Sequence, residues 1–223
     1  MNKTLSIVIP VYNKFAFTKS CLNDLFKLPD NIEIIVIDNN SSDDTKTELS
    51  KIDKLNFKYI RNEENIYHSK ACNQGYALAS APNVLFLNND IRVKENKDWT
   101  LEILKYCDDA IVGPTMGLLD NNLNFIKEQN KELIGNSYLS GWCIASSKKN
   151  WDKLDLGNGQ IWNEEFPFYY NDTDIGFRCK KANIKLKVIS IPVVHFGKVS
   201  AAQLNVHKLY TDARKVFIKK WGK

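Results

Sequence analysis

The sequence predicts an α/β fold, a single three-layer domain with a central, mainly parallel sheet between helices. Three observations carry that expectation. Apolar runs of strand length alternate with amphipathic segments through residues 4–87, the rhythm of successive β-α-β units. The early apolar runs in LSIVIPVYN (5–13), IEIIVIDNNSSDDT (32–45) and VLFLNND (84–90) each end in a polar cluster. The length of 223 residues, 43% of them hydrophobic, suits one sizeable core better than two small ones.

In order, the pattern predicts a strand near 4–10, a helix near 14–27, a strand near 32–38, a helix near 43–53 and a strand near 57–61. A helix near 67–80 and a strand at 84–87 follow. The runs 32–38 and 84–87 are apolar almost without break, as expected of parallel strands covered on both faces. Beyond residue 93, Gly113, Gly117, Gly135, Gly141, Gly157 and Gly159 punctuate short segments, which predicts loops and mixed strands. FPFYYNDTDIGFRCKK (166–181) passes from aromatic residues to an acidic helix start, with Asp172 or Thr173 as the cap and Asp174 in the first turn. Lys185 to Pro192 reads as a strand leading into Val193-Val194-His195. The final HKLYTDARKVFIKKWGK sets Lys208, Arg214, Lys215, Lys219, Lys220 and Lys223 around Leu209, Val216, Phe217 and Trp221. This is a basic amphipathic helix, expected to pack on its own domain with a solvated basic face; peripheral association with a membrane surface is the alternative.

Composition narrows the function classes. The formal charge is +5, with 31 basic against 26 acidic residues and the excess gathered near the C-terminus, so no nucleic-acid partner is expected. Five scattered cysteines without a CxxC pair suggest reduced thiols in a cytoplasmic protein. The short apolar run near the N-terminus, interrupted by Pro10 and Asn13, is too little for an export signal or a membrane span. No GxGxxG or GxxxxGK[ST] follows a predicted strand, which argues against dehydrogenases and P-loop enzymes.

Ligands of open parallel sheets sit beyond the carboxyl ends of the strands, where the polar clusters fall. There Asp90 could anchor a divalent cation through oxygen, though an Asp ending a strand is also an ordinary turn residue. Asp38 ends its strand towards the same rim, whereas Asp43 reads as a helix cap. Arg61 and Lys70 are candidates for diphosphate, with a solvated basic side chain as the alternative for each. Trp142, Trp162, Phe168, Tyr169 and Tyr170 could face a sugar, but individually read as core.

Taken together and in order, these segments resemble the family 2 glycosyltransferases, inverting enzymes of the GT-A fold, over nearly the whole chain. SIVIPVYN is similar to the opening strand and nucleotide-facing loop, VIDNNSSDDT to the second-strand motif, and VLFLNND to the strand entering the DxD motif. WNEEFPFYYNDTDIGFR resembles the acceptor-side motif with the catalytic base, and HFGKVS the late histidine segment. The resemblance implies a nucleotide-binding half (1–92) and an acceptor-side half (93–223). A nucleotide diphosphate sugar, UDP- or dTDP-linked, is expected on Pro10, Tyr12, Asn13, Asp38, Asn39, Asn40, Lys70, Asn88 and Asn89. A divalent cation, manganese or magnesium, is expected on Asp90 and His195. Asp172 would be the general base, with Gly141, Trp142 and Glu164 beside the sugar or acceptor. The acceptor would be a glycan, a lipid-linked saccharide or a glycoprotein, in bacterial surface-glycan assembly.

The chain departs from the family pattern at three positions, where Asn39, Asn88 and Asn171 stand in place of common carboxylates. Asn88 brings no charge, so the cation should be held more weakly. Asn171 removes a like charge that would raise the pKa of the base. The same departures motivate a competing expectation, a catalytically weak sugar-nucleotide-binding subunit. A nucleotidyltransferase is disfavoured because the glycine-rich, arginine-containing N-terminal loop of that class is missing.

Overall fold

The computed structural model describes residues 2–95, 97–197 and 206–222. The first half runs β1 (Leu5–Val11), α1 (Phe15–Leu25), β2 (Ile32–Asp38), α2 (Thr45–Leu49), β3 (Phe57–Arg61), α3 (Tyr67–Leu78) and β4 (Asn83–Leu87). Each lies within a few residues of its expected bounds except α2, which stops at Leu49 where Ser50 turns its hydroxyl onto the Thr47 carbonyl. The second half starts with β5 (Ile91–Val93), α4 (Thr100–Leu104), β6 (Ala110–Gly113), β7 (Met116–Leu119), β8 (Phe125–Gln129) and β9 (Asn136–Leu139). It ends with β10 (Cys143–Ser147), α5 (Lys148–Asp152), α6 (Asn171–Lys181), β11 (Lys185–Val188), β12 (Val193–His195) and α7 (Val206–Trp221).

A seven-stranded sheet in the order β11-β6-β10-β4-β1-β2-β3 forms the middle layer, and only β10 runs against the others. The side-chain alternation of strands splits its apolar residues between two cores. Leu5, Ile7, Ile9, Ile34, Val36, Leu85 and Leu87 face the core that includes α1, while Val8, Ile35, Ile37, Val84 and Phe86 face the one that includes α3 and α6. Each such side chain is buried almost completely, a gain of about 1.5–3 kcal/mol apiece before chain entropy is counted. Strands β2 and β4 lie on opposite sides of β1, so the chain switches direction between β1 and β4. The carboxyl ends at such a switch point diverge and leave a crevice.

Two small sheets complete that crevice. Antiparallel pairing of β12 with β5 sets His195 opposite Ile91, next to Asp90. The β8-β7-β9 sheet rests on α6 through Tyr138, whose Cβ lies 2.5 Å from where a Cβ on Gly176 would stand. Helix α6 starts differently from expectation. Tyr170 is the N-cap, in a left-handed conformation (φ 62) without a side-chain cap, so Asp172 and Thr173 sit inside the first turn. Asp174, fully buried, accepts from Arg178 Nε (2.7 Å), Trp221 Nε1 (2.9 Å) and Lys220 Nζ (2.9 Å), which binds α7 to α6.

Helix α7 packs through Ala213 and buried Phe217 on Phe166 and Tyr170, and leaves Lys208, Lys215 and Lys219 exposed. That is the packing its amphipathic pattern predicts; Lys223 lies outside the described residues, as do Lys198, Val199 and Ser200 of the late histidine segment. Among the described residues no helix is long and apolar enough to cross a membrane. All five cysteines are free and buried.

Candidate active site

A cleft of about 430 Å³ opens at the switch point, beyond the carboxyl ends of β1 and β4. Pro10, Tyr12 and Asn39 line one side, Asn88, Asn89 and Asp90 the floor, and Gly141, Trp142, Asp172 and His195 the far wall. The cleft gathers residues from eight separate segments of the chain.

The floor is built by β4 as it ends. Asn88 N–H donates to the Trp142 carbonyl (2.8 Å), and Asn89 Nδ2 donates to Thr18 Oγ1 (2.8 Å), which turns the chain sharply and leaves Asp90 at the opening. The His195 ring stacks on Trp142, centroids 4.8 Å apart and planes 7° from parallel. This holds His195 Nε2 3.0 Å from Asp90 Oδ1 and 3.3 Å from Asn88 Nδ2. Two donors on one divalent cation, each at about 2.1 Å and at right angles, stand about 3 Å apart, so this carboxylate and imidazole suit a shared cation. Among the described residues no group of three His, Cys, Asp or Glu side chains converges on a point, so a cation here takes its remaining ligands from solvent or from a bound ligand.

The far wall carries Asp172. Its Oδ2 accepts from the Gly141 N–H (3.0 Å), and its Oδ1 accepts from the Thr173 N–H (2.7 Å) and hydroxyl (3.2 Å). Gly141 is glycine for a steric reason, since a Cβ there would lie 2.9 Å from Asp172 Cβ and 3.2 Å from the Trp162 ring. Burial pushes the Asp172 carboxyl above the ordinary range despite those hydrogen bonds, and the charge of Glu128 on β8 adds to the rise. A carboxylate so placed is a better proton acceptor than a solvated one. The like charge lost at Asn171 is thus partly supplied by Glu128, which also lines the cleft.

Six expected site residues face elsewhere. Asp38 is wholly buried: Oδ1 accepts from Ser41 N–H (2.8 Å), and Oδ2 from Tyr59 Oη and Arg61 Nη1, both at 2.7 Å. It holds the β2–β3 end together instead of entering the cleft. Arg61, taken by Asp38 and by Asn40 Oδ1, is likewise a structural partner, and Asn40 turns the loop in a left-handed conformation (φ 64). Asn13 accepts from the Ser42 N–H (2.7 Å) and donates its own N–H to Ser41 Oγ (2.8 Å), stapling the two loops. Lys70 is exposed on α3 outside the cleft lining. Glu164 is turned to Asn73 Nδ2 (3.1 Å). Of the aromatic residues read as core, Trp162 is buried away from the cleft, Trp142 and Tyr170 are buried in the core and also line the cleft, and half-buried Phe168 and Tyr169 line it too.

Sequence reasoning passed over His68 and Glu128. His68 sits in the first turn of α3, lines the cleft and meets Asn171 Nδ2 through Nδ1 at 3.1 Å; burial pushes its imidazole down to about 4. The available signal was positional, a histidine opening the helix that leads into β4. Glu128 lies on a short strand in the irregular half and had no comparable signal.

Residues 6–155 match the family model described as Glycosyl transferase family 2. The chain belongs to that family. The match includes Asp90; Asp172 and His195 lie beyond it. A curated family relative, the glycosyltransferase GlyG of Streptococcus pneumoniae, is 25% identical over 191 residues, 74% of this chain and 64% of that protein. The chain spans between 20% and 64% of the length of the curated relatives it matches. Among solved structures, S. aureus TarS 1-349 in complex with UDP aligns over 96% of this chain and 65% of its own, with a TM-score of 0.62 and 22% identity. GalNAc-T7, solved with UDP, GalNAc and Mn2+, aligns over 87% of this chain and 44% of its own, with a TM-score of 0.68 and 16% identity. At these identities the two structures establish the GT-A fold for this family 2 chain.

Proposed function

We propose that the chain transfers a sugar from a nucleotide diphosphate sugar to an acceptor hydroxyl with inversion, and that Asp172 is the general base. The observation that carries this reading is the position of Asp172, a carboxylate of raised pKa opening on the same cleft as Asp90 and His195. Pro10, Tyr12 and Asn39 form the wall for the nucleotide, and two neighbours of this fold were solved with UDP. Asp90 and His195 hold a divalent cation that, when bound, neutralises charge on the diphosphate. Asp172 takes the proton of the acceptor hydroxyl as its oxygen bonds to the anomeric carbon, while the bond to the diphosphate oxygen breaks on the opposite face. The far wall receives the acceptor, where Trp142, Phe168 and Tyr169 offer aromatic faces to sugar C–H surfaces.

A UDP- or dTDP-linked donor is favoured, manganese suits the imidazole ligand better than magnesium, and the acceptor is a glycan, lipid-linked saccharide or glycoprotein of a bacterial surface. The basic outer face of α7 would suit an anionic membrane surface beside a lipid-linked acceptor. In this reading residues 1–92 supply most of the donor side and 93–223 the acceptor side.

The test is donor hydrolysis and transfer measured for Asp172→Asn. Turnover should fall by about 10²- to 10⁴-fold with donor affinity kept. Undiminished turnover would remove Asp172 from the mechanism. Binding of donor by the unmutated chain without hydrolysis or transfer would favour the sugar-nucleotide-binding subunit.

A further inference from the structure

We propose that His68 is a positioning residue whose uncharged imidazole accepts a hydrogen bond from the Asn171 amide and so fixes the helix start that carries Asp172. The bridge from His68 to Asn171 is a property of the fold; its catalytic consequence rests on the transferase reading above.

The proton positions follow from groups whose roles are fixed. The backbone N–H of Asp172 can only donate, and it meets Asn171 Oδ1 at 2.9 Å, which identifies the carbonyl end of that amide. Asn171 Nδ2 then faces His68 Nδ1 at 3.1 Å and Ser69 Oγ at 3.2 Å. Ser69 has given its one hydroxyl proton to the Phe166 carbonyl at 2.5 Å, so towards Asn171 it can only accept. For the second N–H of Asn171 to be satisfied, His68 Nδ1 must present its lone pair. A neutral ring in that tautomer carries its hydrogen on Nε2.

The surroundings of the ring agree. Asn88 lines the same cleft as His68, and its Nδ2 stands 3.3 Å from His195 Nε2. The His68 ring is braced edge-on against Trp162, centroids 4.9 Å apart, and flanked by Cys72 Sγ at 3.7 Å. One neutral imidazole is thus held in place against the start of α6.

This gives one of the family departures a local reason. A carboxylate at 171 has no N–H to offer the His68 lone pair, and the ring would have to present a proton to it instead. With the amide at 171, each donor meets an acceptor and the bridge carries no charge.

Nitrogen-15 NMR of the unmutated chain at neutral pH reads the bridge without relying on activity. His68 should show a protonated Nε2 and an unprotonated Nδ1; a protonated Nδ1 would overturn the assignment. In transfer assays His68→Ala should lower kcat about 10- to 100-fold with the donor KM within about threefold, the scale of a small misplacement of a catalytic group. His68→Asn, which can present an oxygen where Nδ1 stood, should recover part of the loss. Asn171→Glu, although it restores an acid, should lower kcat because its oxygen meets the His68 lone pair. Unchanged kcat in His68→Ala, no recovery in His68→Asn, or a gain in Asn171→Glu would each defeat the positioning role. A chain with the expected tautomer but no detectable turnover would keep the bridge and sink the transferase reading.

Discussion

The strand ends of β2 and β4 look alike as sequence, each an apolar run closing on asparagines and an aspartate, yet the structure uses them in opposite ways. At β2 the carboxylate turns inward, although Asn39 beside it lines the cleft: Asp38 is taken by Ser41, Tyr59 and Arg61, and Asn40 by Arg61. At β4 the chain turns outward, and Asp90 meets only the edge of His195 before the cleft begins. The difference comes from neighbours. An adjacent parallel strand, β3, brings a cation and a phenol to Asp38 in register, Asp38 opposite Arg61. Asp90 leaves the main sheet just after β4 and meets the two-stranded pairing of β5 with β12 instead. A carboxylate whose oxygens are fully bonded within the fold has a structural role, and one with acceptor capacity left towards a cavity can take a ligand.

Substitutions at the two strand ends should separate stability from turnover. Asp38→Ala removes the buried member of an ion pair and strands the Ser41 N–H and Tyr59 hydroxyl. It should lower the unfolding free energy by about 3 kcal/mol, read by urea denaturation. The molecules that still fold should keep transfer within a fewfold of the parent. A large loss of turnover with stability intact would return Asp38 to the donor site.

Asp90→Ala should do the reverse. Its effect on stability should stay within about 1 kcal/mol, because the side chain it engages among the described residues is a partly exposed histidine. Transfer should drop by about 100-fold and thermal stabilisation by nucleotide sugar plus manganese should vanish. If the cation still stabilises the variant, the cleft does not hold it at Asp90.

Gly141→Ala probes the far wall with a smaller change. The added methyl carbon would press on Asp172 Cβ from 2.9 Å and should shift the carboxylate, lowering kcat about tenfold with the donor KM little changed. An unaffected kcat would mean that Asp172 has room to move without loss, which a positioned base does not.

The alternation of strands and helices and the polar rim beyond the strand ends were legible because they rest on periodicity, and the gathering of Asp90, His195 and Asp172 because it rests on motifs in sequence order; the strand order was not. The fate of Asp38, Asn13 and Asn40 was not, since it depends on hydrogen-bond partners 21 to 29 residues away that no local pattern reveals. Glu164 was misplaced for the same reason, its oxygen drawn to Asn73 on α3. His68 stayed hidden because one histidine in a helix carries no periodic signal. Its role appears only when Asn171 is brought against its ring.

The smallest effect expected is a separation in pH. Burial would raise Glu33, yet hydrogen bonds from Lys58, Ser6 and Ser80 hold its carboxyl below the ordinary range. Asp43 is likewise held down, against burial, by Thr45 and the Phe15 N–H. A depressed carboxyl contributes stability that is present above its unfolded value and is lost as pH falls through the folded one. Asp172 has the opposite sign, its pKa being raised by burial, so its ionised form is lost first on acidification. Transfer should therefore decline reversibly at a pH where circular dichroism still reports the native fold, and unfolding should follow only below the ordinary carboxylate range. In His68→Asn the order of the two transitions should persist, because neither Glu33 nor Asp43 touches the bridge. Coincident loss of transfer and structure would show instead that the two strand ends share one set of acid-sensitive contacts, and the contrast between them would fail.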